Sequence, residues 1–128
     1  MKEKILNKKG FYFITTGIIA ILVGLLGGVM DIVQPQGVID TAAALGYPLY
    51  FFVLLGVFKI LGAIALFLPK QFDRIRDVAY AGFAFDFIFA SFSHYSVNDG
   101  IVKIIIPLVL LVVLSISFYL KDRLKKID

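Results

Sequence analysis

Residues 50–68 read YFFVLLGVFKILGAIALFL, an apolar run with a single charge, Lys59, at its middle. A helix of about 20 apolar residues spans the hydrocarbon core of a bilayer, and a charge at its centre is costly unless partnered. The run therefore predicts a membrane-spanning helix and calls for an acid at matching depth. Asp86, inside the apolar stretch 79–92, is the other charge that falls in the interior of such a run.

Composition points the same way. Of 128 residues, 60% are hydrophobic, and the mean hydropathy of +0.94 is too high for a domain whose surface must be wetted. The length leaves room for four spans with short connections, hence one membrane domain without a soluble catalytic module. A net charge of +4 does not mark a nucleic-acid binder, because the basic residues flank apolar runs instead of clustering on a water-facing surface. The absence of cysteine excludes thiol–disulfide chemistry, iron–sulfur ligation and thiolate zinc sites. One histidine excludes a bis-histidine haem, and a lone histidine at a membrane interface is a poor basis for a metal site.

Working outward, the spans fall at about 11–30, 49–68, 78–95 and 101–120. Met1 to Lys9 reads as a basic tail. A cleavable signal would need small residues just past the first run, and Ala42-Ala43-Ala44 lies too far beyond it, so the first run is read as retained. Gly17, Gly24 and Gly28 lie within about 40° of one another on a helix, which predicts tight packing against a neighbour; Asp31 continues that face at its outer end. The Gly24 to Gly28 spacing also permits a homodimer or a larger membrane complex. Gln34-Pro35-Gln36-Gly37 breaks the pattern, a short helical piece follows around Asp40 to Leu45, and Pro48 suits the start of the second span. Asp73 and Asp77 with Arg74 and Arg76 read as a solvated turn, and Asn98-Asp99-Gly100 as another.

The amino tail, the loop after the second span and the carboxyl tail hold eleven of the thirteen basic residues. By the positive-inside rule this side is cytoplasmic, with both termini in, which gives an all-α integral membrane four-helix bundle in the inner (plasma) membrane. The six tyrosines fall near span ends and read as interface anchors.

Depth pairs Lys59 with Asp86. Counted from Pro48 and Ser96, both lie about 15 Å from the same surface at 1.5 Å per residue. Consecutive antiparallel spans are usually neighbours. Gly56, Gly62 and Ala63 would let the two helices approach closely around the pair. Such a couple could relay protons or orient a polar head group, or it could do no more than fix helix register. Ser93 shares the face of Asp86 within about 20°, and His94 lies about 80° away. Lys59, Asp86, Ser93 and His94, with Asp31 and Asp99 at the mouth, are thus the candidates for an outward-opening pocket.

The residues Leu45-Gly46-Tyr47-Pro48, the LGxxK of Leu55 to Lys59, Leu68-Pro69-Lys70, the GFxxD of Gly82 to Asp86, Ser93-His94 and Asp99-Gly100 together resemble the DoxX-like family of small bacterial membrane proteins. The resemblance implies a four-helix membrane bundle and an association with quinone-dependent sulfur oxidation and redox-stress complexes. It does not imply an established reaction, and relatives that use cysteines cannot be the model for a cysteine-free chain. Three classes of function follow: an accessory or quinone-interacting subunit of a membrane redox system, a binder or carrier of a small lipophilic molecule, or a non-catalytic partner of another membrane protein. No phosphate-cradling loop and no nucleophile–base spacing marks the isolated chain as an enzyme.

Overall fold

The computed structural model describes residues 2–127, with side chains to Leu124. Helix α1 runs unbroken over Lys2–Val33. The basic segment expected to be a tail is therefore the first turns of this helix. Its middle, Ile18–Leu26, is wound as a π-helix, and the Gly27 N–H reaches back to Leu22 O. Closure over five residues puts more residues in each turn and shortens the helix relative to an α-helix.

Gln34, at φ 59°, ends α1 in the left-handed conformation, and Pro35 caps the short α2, Gln36–Leu45. Gly46, at φ 78°, ends α2 in turn, the glycine stop read from the sequence. Pro48 is the residue before α3, Leu49–Leu66, where its fixed φ and missing N–H are harmless. A 3₁₀ turn at Lys70–Phe72 leads into α4, Asp73–Ser96. Asn98 and Gly100 take positive φ in the turn before α5, Ile101–Ile127.

The long helices pack in the cyclic order α1, α3, α4, α5 and back to α1. The core is narrow: Ile19 and Ala20 of α1, Ala63 and Leu66 of α3, Tyr80, Phe83 and Phe87 of α4, and Leu114 of α5. Polar groups at its centre are satisfied across helices. Ser117 is bonded at 2.6 Å to both Thr16 and Tyr80, which ties α1, α4 and α5 together. Tyr80, read as an interface anchor, is thus a core residue at 4% exposure. Ser91 donates to the Ile104 carbonyl, where the Pro107 ring loosens the α5 ladder.

Much of the surface outside that core is made of large, exposed apolar side chains. In the most apolar window of Ile101–Leu124 only 17% is buried. Water does not tolerate a surface of that kind; hydrocarbon does. Lys2–Val33, Leu49–Leu66 and Ile101–Leu124 are each long and apolar enough to cross a membrane. The chain is an all-α membrane protein. Helix α4 is less apolar, because it carries Asp73, Arg74, Arg76, Asp77, Asp86 and His94.

The α1–α3 crossing is set by small residues. A Cβ placed on Gly28 would come within 2.8 Å of Gly56 O, and one on Gly56 within 2.5 Å of Gly28 O. Likewise a Cβ on Gly24 would meet Ala63 Cβ at 2.6 Å. Of the face expected to pack tightly, Gly24 and Gly28 do so, against α3 of the same chain, whereas a Cβ on Gly17 would meet nothing within 4 Å. The Gly24 to Gly28 stretch is consumed there, so a homodimer would need another surface.

Candidate functional site

The glycine crossing decides the partner of Lys59. Asp31 lies one turn beyond Gly28 on the same face, and its Cβ is 3.1 Å from where a Cβ of Gly56 would be. Lys59 Nζ lies 2.9 Å from Asp31 Oδ2 and 3.9 Å from Asp86 Oδ2. The expected pair of Lys59 with Asp86 is present at 3.9 Å, and Asp31, the nearer acid, makes it a triad. Gly56 and Ala63, read as making room for the helix of Asp86, make room for α1 instead; Gly62 alone of the three faces α4, against the Phe83 ring. Depth was counted for Lys59 and Asp86 and not for Asp31, which two further features bring within reach. The π segment shortens α1 and draws Asp31 inward, and the lysine stem lets the ammonium reach well away from its own Cα.

The triad is largely buried, with side chains of Lys59, Asp31 and Asp86 at 16%, 10% and 19% exposure. With both acids ionised it carries one formal negative charge in excess. Asp31 Oδ2 is buried and makes no hydrogen bond, so its contact with the ammonium is close in distance but off the angle of a hydrogen bond. In a low-dielectric interior such a contact still holds much of its Coulomb attraction.

Beside the triad, a groove of about 450 Å³ opens between α3 and α4. Leu55, Phe58, Leu61, Gly62 and Ala65 form one wall, and Ile75, Val78, Ala79, Gly82 and Phe83 the other. Lys59 and Asp86 are its charged lining residues. Gly82 has open space where a side chain would begin. The groove runs from the triad toward the end that carries Lys70 and Arg76, the opposite direction from the outward-opening pocket expected. A larger groove of about 630 Å³, between α1 and α5, has apolar walls and lacks a buried ion at its floor.

Ser93 and His94 are not part of this arrangement. Ser93 is bonded to the Tyr47 hydroxyl, which ties the α2–α3 connection to α4. His94 Nδ1 bonds Asp99 Oδ2 at 2.7 Å and closes the turn after α4. Asp99, placed at a pocket mouth by the sequence, is thus a turn residue. Hydrogen bonding to His94 holds its carboxyl below the usual carboxylate range, and Lys103, 3.5 Å away, adds to this.

A second charged cluster was not legible beforehand. Lys121, 4% exposed, bonds Asp73 and Asp77 at 2.8 Å each. Its ammonium also lies over the Phe118 ring at 5.1 Å. Arg76, 9% exposed, donates to the Tyr12 hydroxyl at 2.8 Å. The solvated turn expected at 73–77 is corrected to the first turns of α4, with Asp73, Arg76 and Asp77 in a network that joins α1, α4 and α5. The period from Asp73 to Asp77 was the available sign, since residues four apart share a helix face.

An all-α membrane protein with a buried acid–base–acid triad beside an apolar groove is the class defined by these features. More particularly, the chain belongs to the DoxX-like family, whose family model matches residues 14–117. No curated protein and no solved structure matches it.

Proposed function

We propose that this chain crosses a bacterial inner membrane four times, both termini cytoplasmic, and binds a small lipophilic molecule whose polar head rests against Lys59 and Asp86. A quinone is the first candidate. The observation that carries the reading is the lining of the α3–α4 groove: apolar and aromatic walls with one ammonium and one carboxylate at one end. Pockets for such ligands are mostly apolar, with a few placed polar groups that fix orientation. Lys59 would donate to a carbonyl oxygen of the head, and Phe58 and Phe83 would flank the ring. Asp86 would accept from a hydroxyl, which suits the reduced form of the same molecule.

Crossing by α4 is favoured by its length of 24 residues and by the fact that its central charge meets Lys59. The asymmetry of basic residues favours the orientation. The membrane redox role follows the family association and makes the protein a binding component with no chemistry of its own.

The test is native mass spectrometry with an ultraviolet–visible spectrum on protein purified in mild detergent. Wild type should carry a stoichiometric small molecule with a quinone spectrum. Gly82→Leu should lose it while keeping its melting temperature, because the new side chain grows into the groove. A colourless ligand displaced in the same way would leave the binder and remove the quinone. Empty protein from native membranes would end the binding proposal and turn attention to partner proteins.

A further inference from the structure

We propose that a second site, at the opposite end of the chain's charge distribution from the triad, binds an anionic phosphate group, carried by a lipid head or free in solution. A pocket of about 250 Å³ there is lined by Lys9 and Tyr12 of α1, Lys70 of the 3₁₀ turn, Arg76 of α4 and Lys121 of α5, with Phe13 at its edge. Four cations from four elements line it, and among the described residues no acid does.

Two nearby acids engage one of these cations. Asp73 and Asp77 each contact Lys121 at 2.8 Å, which leaves Lys121 holding the helices together. Arg76 is different. Its Nη1 is 3.7 Å from Asp73, outside hydrogen-bond reach, and its buried Nε has no hydrogen-bond partner. A guanidinium buried with an unused N–H is held ready for a planar, two-pronged acceptor, the geometry that phosphate supplies. The Tyr12 hydroxyl accepts from Arg76 and holds the guanidinium at the pocket wall. Phe13, 65% exposed, provides apolar surface alongside the pocket, where an acyl chain would lie. Basic pockets between membrane helices hold acidic head groups in this way.

Native mass spectrometry on the full chain, titrated with phosphatidylglycerol, with phosphatidylcholine and with inorganic phosphate, separates the sources. Wild type should retain phosphatidylglycerol over phosphatidylcholine. Lys9→Gln, at an exposed position that leaves the fold alone, and Arg76→Lys, which keeps the charge but loses the fork, should each weaken retention by about fivefold. Binding of inorganic phosphate that both variants weaken, without lipid preference, would assign the site to a soluble ligand. Equal retention of both lipids by wild type and variants, with no phosphate bound, overturns the proposal. Gly82→Leu should bind as wild type does, which keeps this site separate from the α3–α4 groove.

Discussion

Lys59 Nζ lies 2.9 Å from Asp31 Oδ2, across the crossing where Gly28 of α1 meets Gly56 of α3. Packing and electrostatics are therefore one device here: the glycines bring the backbones together, and the ion pair closes the same crossing one turn further on.

Neutralising the two acids should have unequal effects. Asp31→Asn leaves the ammonium with an acid 3.9 Å away, and breaking a buried pair costs about 3 to 5 kcal/mol. We expect the lower end of that range for Asp31→Asn and a smaller loss for Asp86→Asn, measured as melting temperature in detergent. An equal loss in both would mean that Asp31 is not the principal partner.

Gly28→Ala and Gly56→Ala each push a methyl group into a backbone carbonyl that cannot turn aside. Overpacking of this kind costs about 1 to 3 kcal/mol. Gly17→Ala meets nothing within 4 Å and should be neutral or slightly stabilising, which makes it the control.

Ser117→Ala should be disproportionately costly for the loss of one oxygen. Ser117 is fully buried and joins Thr16 to Tyr80, so the change removes a partner from two hydroxyls in the core. An unsatisfied buried polar group costs about 1 to 3 kcal/mol. Equilibrium unfolding of the variant beside Ser115→Ala, whose hydroxyl bonds only its own helix, provides the comparison.

The turn after α4 should loosen in acid. The Asp99 carboxyl titrates lower in the folded chain than in the unfolded one. Its contribution is therefore complete above the unfolded value of about 3.9 and is lost as pH falls through the lower folded value. Hydrogen exchange at Val97 to Gly100 should accelerate in that interval beyond its intrinsic pH dependence, and Asp99→Asn should abolish the excess.

Much of the architecture was legible because the membrane imposes long apolar runs, and proline and glycine mark their ends: Pro48 and Gly46 fell where the helices start and stop. The family was legible from LGxxK and GFxxD for the same reason that the groove is, since both motifs lie along its walls. Which acid meets Lys59 was not, because depth was counted for Lys59 and Asp86 alone, and Asp31 was read as lying at the outer end of its run. The face that carries Gly24, Gly28 and Asp31 held the answer, but only in combination with Gly56 of another helix. Ser93 and His94 were grouped with Asp86 by their own helix alone, while Tyr47 and Asp99 decide where their bonds go. The Lys121 network joins residues 44 and 48 apart, and no local pattern announces such a contact.

The position of Lys121 near the end of the chain also bears on how the protein is made. Asp73 and Asp77 leave the ribosome long before the ammonium that neutralises them, whereas Asp86 emerges after its partner Lys59 is already in place. The least apolar helix is thus tied to earlier helices by Asp86 and Arg76 and gains a tie to a later one through Asp73 and Asp77. A nascent chain halted before residue 121 would hold α4 to earlier helices through Lys59 and through the Arg76–Tyr12 bond but would lack the ammonium that bonds Asp73 and Asp77, so the final turns of α5 add the last of these ties.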